Sequence, residues 1–219
     1  MSQVGQVGLA GGFHGFPPEA FGFFRDLAKH NDRDWFQAHR DVYEQACREP
    51  MKALLATLDP PLVAGRISRI NRDMRFARGG GPYKTYISAG VLGHYVSLSA
   101  QGLYVGGGMY KPEPPDLQRL RAAIGDDGSG KKLQAIVNGL RKKGYQVGTH
   151  GSVASAPRGY AADHPRIELL RMKDIHAGRM FEPAPWLSTS KAVARIRQAM
   201  DDIAPFNAWI KRYVKRGQV

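Results

Sequence analysis

Cysteine is nearly absent: Cys47 is the single one in 219 residues. One thiol excludes an internal disulfide framework and any cysteine-based metal cluster, and it fits a reducing, cytoplasmic compartment. It sits in "DVYEQAC", a helical pattern, where a packed thiol is expected rather than a nucleophile. Long apolar runs are missing too. No stretch of about 18 apolar residues occurs, so no membrane-spanning helix and no membrane partner are expected. The opening "MSQVGQVGLAGG" has no basic n-region; it reads as a flexible Gly-rich tail over 1–12 rather than a secretory signal.

Several chemical signatures are also lacking. The seven histidines stand at 14, 30, 39, 94, 150, 164 and 176. No two have HxH or HxxxH spacing, and HExxH is absent, so no metal is expected. GxSxG is absent, which removes the nucleophile elbow. "GGGPYKT" only superficially resembles a phosphate loop. Tyr83 stands before Lys84 where that loop needs glycine, and "YISAGV" after it favours a strand instead of a helix. "YVGGGMYKP" does not lead from a strand into a helix, so its three glycines point to a bulge or close packing, not to a dinucleotide. No cofactor is expected.

What the chain has in excess is positive charge, +13 net, unevenly placed. Residues 1–60 carry six basic and eight acidic side chains, whereas 61–90 carry six and one. Residues 126–160 carry six and two, and 186–219 seven and two. Such a field draws anions: phosphorylated or carboxylated metabolites, or nucleic acid held weakly and without sequence preference.

Periodicity then divides the chain. "PPEAFGFFRDLAKHN" predicts a helix with Phe21, Phe24, Leu27 and Ala28 on its apolar stripe. "NDRDWFQAHRDVYEQACREP" predicts a second, capped by Asn31, and Pro50 opens a third through Leu58. Residues 66–76, 85–98 and 102–110 read as strands, with a hairpin turn in "LSAQGLY". "PPDLQRLRAAIG", "SGKKLQAIVNGLRKKG" and "DHPRIELLRMK" read as helices. "STSKAVARIRQAMDDI" and "FNAWIKRYVKR" follow as two more, separated at Pro205. The expectation is an α+β fold: N-terminal helices, a central and mainly antiparallel sheet, then C-terminal helices. It forms a single compact domain over 13–214, with a basic tail at 215–219.

The chemistry concentrates in "NRDMRFARGGGPYKTYIS", residues 71–88. On a strand, side chains alternate faces. Arg72 then shares an apolar face with Ile70, Met74 and Phe76, and a buried guanidinium must find a carboxylate or several acceptors. Asp32 and Asp34 are its expected ion-pair partners. Asn71, Asp73 and Arg75 occupy the other face, and Lys84 returns beside them if the Gly-rich loop closes a hairpin. The candidate ligand-binding set is Asn71, Asp73, Arg75 and Lys84, with Lys173 as a further basic residue. Such donors suit a phosphate or carboxylate. Asp73 is the candidate acid or base should the site be catalytic.

The segments "HNDRDWFQAHRDVYE", "RDMRF", "GPYKTYIS", "GLYVGGGMYKP", "PRGYAADHP" and "LLRMKD", in that order, resemble the signature blocks of the domain-of-unknown-function 2461 family. The resemblance runs from about Phe13 to about Val214 and implies one compact α+β domain; it implies no activity. Gly79 to Gly81 depart from the basic or polar pair that usually precedes the PYKT segment. Three classes of function follow from the residues. Binding of an anionic small molecule ranks first. An enzyme on a phosphorylated or carboxylated metabolite comes second, and a nucleic-acid, structural or partner-binding protein third. No oligomeric state is assigned.

Overall fold

The computed structural model describes residues 12–59, 67–73, 75 and 80–215. The chain opens with α1 (Pro18–Lys29), started by Pro18 in the first turn, where a missing N–H costs no bond. Its buried face is Ala20, Phe21, Phe23, Phe24 and Leu27, whereas Ala28, expected on that stripe, is exposed. α2 (Arg33–Ala38) is capped by Asp32, whose carboxylate accepts the Trp35 N–H at 2.9 Å, and not by Asn31 as the sequence suggested. After a break at His39 come α3 (Arg40–Val42), a π turn (Tyr43–Arg48) and α4 (Glu49–Leu58). In that π turn the Glu49 N–H reaches back to the Glu44 carbonyl, one residue further than in an α-helix. The widened turn carries the helical path past Pro50, whose ring would otherwise crowd the carbonyl four residues earlier.

The sheet holds β1 (Tyr86–Val91), β2 (His94–Ser99), β3 (Gly102–Met109), β4 (Gln146–Gly148) and β5 (Ile175–Phe181), in spatial order β1-β2-β3-β5-β4. It is antiparallel. The expected single strand over 85–98 is a hairpin instead. Leu92 (φ 50°) and Gly93 (φ 74°) turn the chain with two consecutive left-handed residues, the pattern that matches strand twist in a two-residue loop. The turn in "LSAQGLY" is as expected, at 100–101. In place of a strand over 66–76, the described residues form isolated antiparallel bridges, Ile67 to Ala89 and Asn71 to Tyr83. Met74 and Phe76, two of the apolar residues expected beside Arg72, lie outside the described residues.

Two further helices follow as read: α5 (Pro114–Gly125) and α6 (Asp127–Lys142), the latter capped by Asp126 on the Ser129 N–H at 2.8 Å. "DHPRIELLRMK" yields only α7 (Ile167–Leu170) before the chain enters β5, a strand not foreseen. α8 (Lys191–Tyr213) runs unbroken through Pro205. Asp201, whose carbonyl loses its intrahelical partner to that proline, is exposed, so water can serve it. No helix among the described residues is long and apolar enough to cross a membrane.

The described chain packs as two compact units, each assembled from separate segments. One takes in the chain up to Leu92, Val96–Leu103 and Met180–Arg197. Its core joins Phe16, Phe24, Leu27, Leu54 and Ile87 to Leu98, Leu103, Leu187 and Ile196. Phe23 is the hub of an aromatic cluster with Phe24, Trp35, Phe36 and Tyr43. Cys47 is buried there as expected, and burial pushes its thiol far above the ordinary range, so it is inert as a nucleophile.

The other unit comprises Gly93–Tyr95, Tyr104–Arg179 and the chain from Gln198. Leu120, Ile124, Leu133, Val137, Ile175, Phe206 and Trp209 fill it. Trp209 donates its indole N–H to the Ser129 carbonyl at 2.9 Å. The glycines of β3 meet neighbours closely: a Cβ on Gly107 would strike Asn207, and one on Gly108 (φ +136°) the backbone of Ile175 and His176.

Candidate functional site

The Asn71–Tyr83 bridge organises the first unit's polar site. The Arg72 N–H donates to the Pro82 carbonyl and the Lys84 N–H to the Ile70 carbonyl, each at 2.8 Å. Asn71 and Tyr83 are therefore a non-hydrogen-bonded pair, with their own N–H and C=O groups turned outward. Asn31 serves those outward groups on Tyr83. Its amide N–H₂ donates to the Tyr83 carbonyl at 2.9 Å, and its amide oxygen accepts the Tyr83 N–H at 3.0 Å. The residue expected to cap a helix thus ties the hairpin to the end of α1. The Tyr83 ring is buried and stacks on Phe36 with centroids 4.1 Å apart. Gly81 is needed at this junction, because a Cβ there would run into Asn31.

Alternation fixes the consequence. With Asn71 opposite Tyr83, Arg72 and Lys84 fall together on the other face, as a diagonal pair roughly 7–8 Å apart in the backbone. Of Asn71, Asp73 and Arg75, the residues expected beside Lys84, Asp73 lines the same cavity as Lys84. A cavity of about 610 Å³ opens here, lined by Arg72, Asp73, Gly80, Gly81 and Lys84, with Ala28 and Asn31 at the end of α1. Arg72 is half-buried and donates to the Gly81 carbonyl at 3.3 Å. Its expected pairing with Asp32 or Asp34 is not found: both carboxylates are exposed, and Asp32 caps α2. Lys84 gives one N–H to the Arg69 carbonyl at 2.7 Å, and an ammonium has three to give.

Asp73 and Arg75 orient one another as expected, through a two-pronged pair. Arg75 Nε donates to Oδ1 at 2.9 Å and a terminal N–H to Oδ2 at 2.7 Å. The Arg75 fork holds the Asp73 carboxyl below the usual carboxylate range. Asp73 therefore stays ionised near neutrality, which makes it a poor general acid. The Arg75 side chain is 81 % exposed, and neither it nor Asn71 lines the cavity.

Lys173 stands elsewhere, exposed in the second unit, its N–H donated to the Gly151 carbonyl at 2.8 Å. A larger cavity of about 790 Å³ in that unit lies against α6 and α7. It already holds acids of its own: Asp127 pairs with Lys131 at 3.1 Å and with Arg166 at 3.0 Å, and Glu168 lines it too.

Against the expectation of no metal-ligating group, the second unit gathers His150, Asp174 and His176. No histidine pair spacing announces it, because its members come from the loop after β4 and the start of β5. The one local signal is the i, i+2 step from Asp174 to His176, which puts both on one side of a strand. Asp174 is buried and accepts the His150 N–H at 3.0 Å and its Nδ1–H at 3.1 Å. Burial raises its carboxyl, but the bonds from His150 outweigh this and hold it below the ordinary range. Burial, then the neighbouring His150, pushes the His176 imidazole down, towards its neutral form.

Residues 19–209 match the family model described as "Conserved hypothetical protein (DUF2461)". The chain belongs to this family. No curated protein and no solved structure matches it. The match covers α1, the Asn31 clamp, both cations of the cavity and the His150–Asp174–His176 group, so both sites lie within the family's own extent.

Proposed function

We propose that this protein binds a small anionic ligand, bearing a phosphate or carboxylate group, in the cavity beside Arg72 and Lys84. The observation that carries the reading is the register: one hairpin sends a guanidinium and an ammonium to the same face, onto a concave surface floored by Gly80 and Gly81. A guanidinium supplies a planar fork for an oxyanion, and an ammonium adds a compact second charge. The volume falls within the range of small-ligand sites, roughly 300–1,000 Å³. Binding ranks above catalysis because Arg75 holds Asp73, the candidate acid or base, below the usual carboxylate range, where it is a poor acid and a weak base.

The test is thermal unfolding in inorganic phosphate against chloride at matched ionic strength. A ligand at ten times its Kd adds about 1.4 kcal/mol of stability. Phosphate is expected to raise the Tm of wild type and of Arg75→Ala. It should leave Lys84→Ala, which is expected to melt like wild type in chloride, unmoved. Equal gains for wild type and Lys84→Ala would mean a generic salt effect and would remove the site.

A further inference from the structure

The His150–Asp174–His176 group has a geometry that hydrogen bonding only half explains. Asp174 Oδ1 lies 3.1 Å from His150 Nδ1 and 3.6 Å from His176 Nδ1. The first contact is a hydrogen bond. The second is too long for one, and the buried Nδ1 of His176 has no hydrogen-bond partner. A buried imidazole nitrogen that faces a carboxylate oxygen from 3.6 Å without a hydrogen bond is poorly served by the protein alone. The rings themselves are close, with centroids 4.5 Å apart and planes inclined at 39°.

A cation serves that nitrogen, because it accepts a lone pair from each group. The three donor atoms all lie within 4.8 Å of one another. Ligands at about 2.0–2.1 Å from a tetrahedral ion stand about 3.3 Å apart, within a few tenths of an ångström of the 3.1 Å and 3.6 Å separations here. We propose that His150, Asp174 and His176 bind one divalent transition-metal ion of the zinc class, leaving at least one coordination position to solvent or substrate.

The fold holds the three donors in place. Gly148 pairs with His176 across the β4–β5 ladder, so the loop that follows β4 arrives beside the start of β5. Thr149 fixes that loop: its hydroxyl donates to the Gly151 carbonyl at 2.6 Å and accepts the Gly151 N–H at 3.1 Å. The Lys173 N–H, donated to the Gly151 carbonyl, closes the loop onto the residue before Asp174. The backbone N–H of His150 orients the Asp174 carboxylate, the kind of outer support that metal ligands need. Gly108 lets β3 lie against the His176 backbone. The His150 side chain is 58 % exposed, so the site opens to solvent. Two imidazoles and one carboxylate suit zinc and its first-row neighbours, whereas magnesium and calcium prefer oxygen alone. This inference does not depend on the anion cavity.

The experiment uses the untagged full chain, stripped with a chelator and titrated with zinc in competition with a chromophoric chelator. Wild type and Lys84→Ala should each bind one equivalent. His150→Ala and His176→Gln, confirmed folded by circular dichroism, should each weaken binding by at least about tenfold, and excess magnesium should not compete. Cobalt in place of zinc should give visible absorption that both variants lose. Wild type that takes no zinc from the competitor would overturn the assignment. So would the same affinity in wild type and both variants, which would place the ion at other histidines.

Discussion

Arginine burial separates two residues that the sequence does not distinguish. Arg166 is 4 % exposed and bonds the Ile124 carbonyl at 2.7 Å, the Gly125 carbonyl at 3.0 Å and Asp127 at 3.0 Å. It closes the C-terminal end of α5, and Gly130 makes room for it. Arg166→Ala should cost about 2–3 kcal/mol, because it strands the Ile124 and Gly125 carbonyls that a buried guanidinium serves. Arg72, half-buried on a carbonyl, should cost only about 1–2 kcal/mol as Ala. Chemical denaturation of both variants checks the order; the reverse order would mean the hairpin, not α5, depends on its arginine. Asp202 gives a pH prediction. Burial raises its carboxyl, but Lys143 at 2.5 Å, Tyr145 at 2.8 Å and Gln198 outweigh that and hold it below the ordinary range. A depressed folded-state pKa stabilises above the unfolded value, about 3.9, and that stability is lost as pH falls through the folded value. Asp202→Asn should therefore lower stability at pH 7 and flatten the acid limb below about pH 4; an unchanged acid limb would rule out this role.

At the scale of elements, amphipathic helices were legible because a stripe of Phe and Leu repeats with the helical period, as in α1. What was not legible were places where one residue overrides a pattern. Gly93 splits an apparently continuous strand into a hairpin. Asp32 wins the cap from Asn31, which is recruited by Tyr83 some fifty positions along the chain, a demand no local rule contains. β4 and β5 are short or flanked by loops, and their pairing becomes visible only in the sheet. Pro205 signals a stop in the sequence, yet α8 continues through it with Ile203, Phe206, Trp209 and Ile210 buried. Burial of these side chains offsets a proline cost of about 3 kcal/mol. Pro205→Ala should accordingly raise stability by about 1–3 kcal/mol in a thermal melt. A lower Tm would show that the packing of Phe206 and Trp209 depends on the bend.

For the whole molecule, the net charge of +13 was legible by counting, and its use was not. Charge alone predicts attraction to any polyanion, whereas the proposed site uses only Arg72 and Lys84, which line one cavity. The acidic start of the chain, eight acids against six bases in 1–60, works against an extended phosphate backbone. Nucleic-acid binding is therefore expected to be weak and without sequence preference. Its log–log salt slope should be shallower than about −3, fewer contacts than five or six phosphates would give. Fluorescence anisotropy across several salt concentrations measures it, and a slope of about −5 or steeper would favour nucleic acid as the ligand.

The most direct measurement of the central claim is calorimetric titration of inorganic phosphate into wild type and Lys84→Ala at fixed ionic strength. The account predicts saturable binding of one phosphate by wild type and its loss or at least tenfold weakening in Lys84→Ala, about 1.4 kcal/mol or more. No saturable heat with wild type, or identical isotherms for the two proteins, would contradict it.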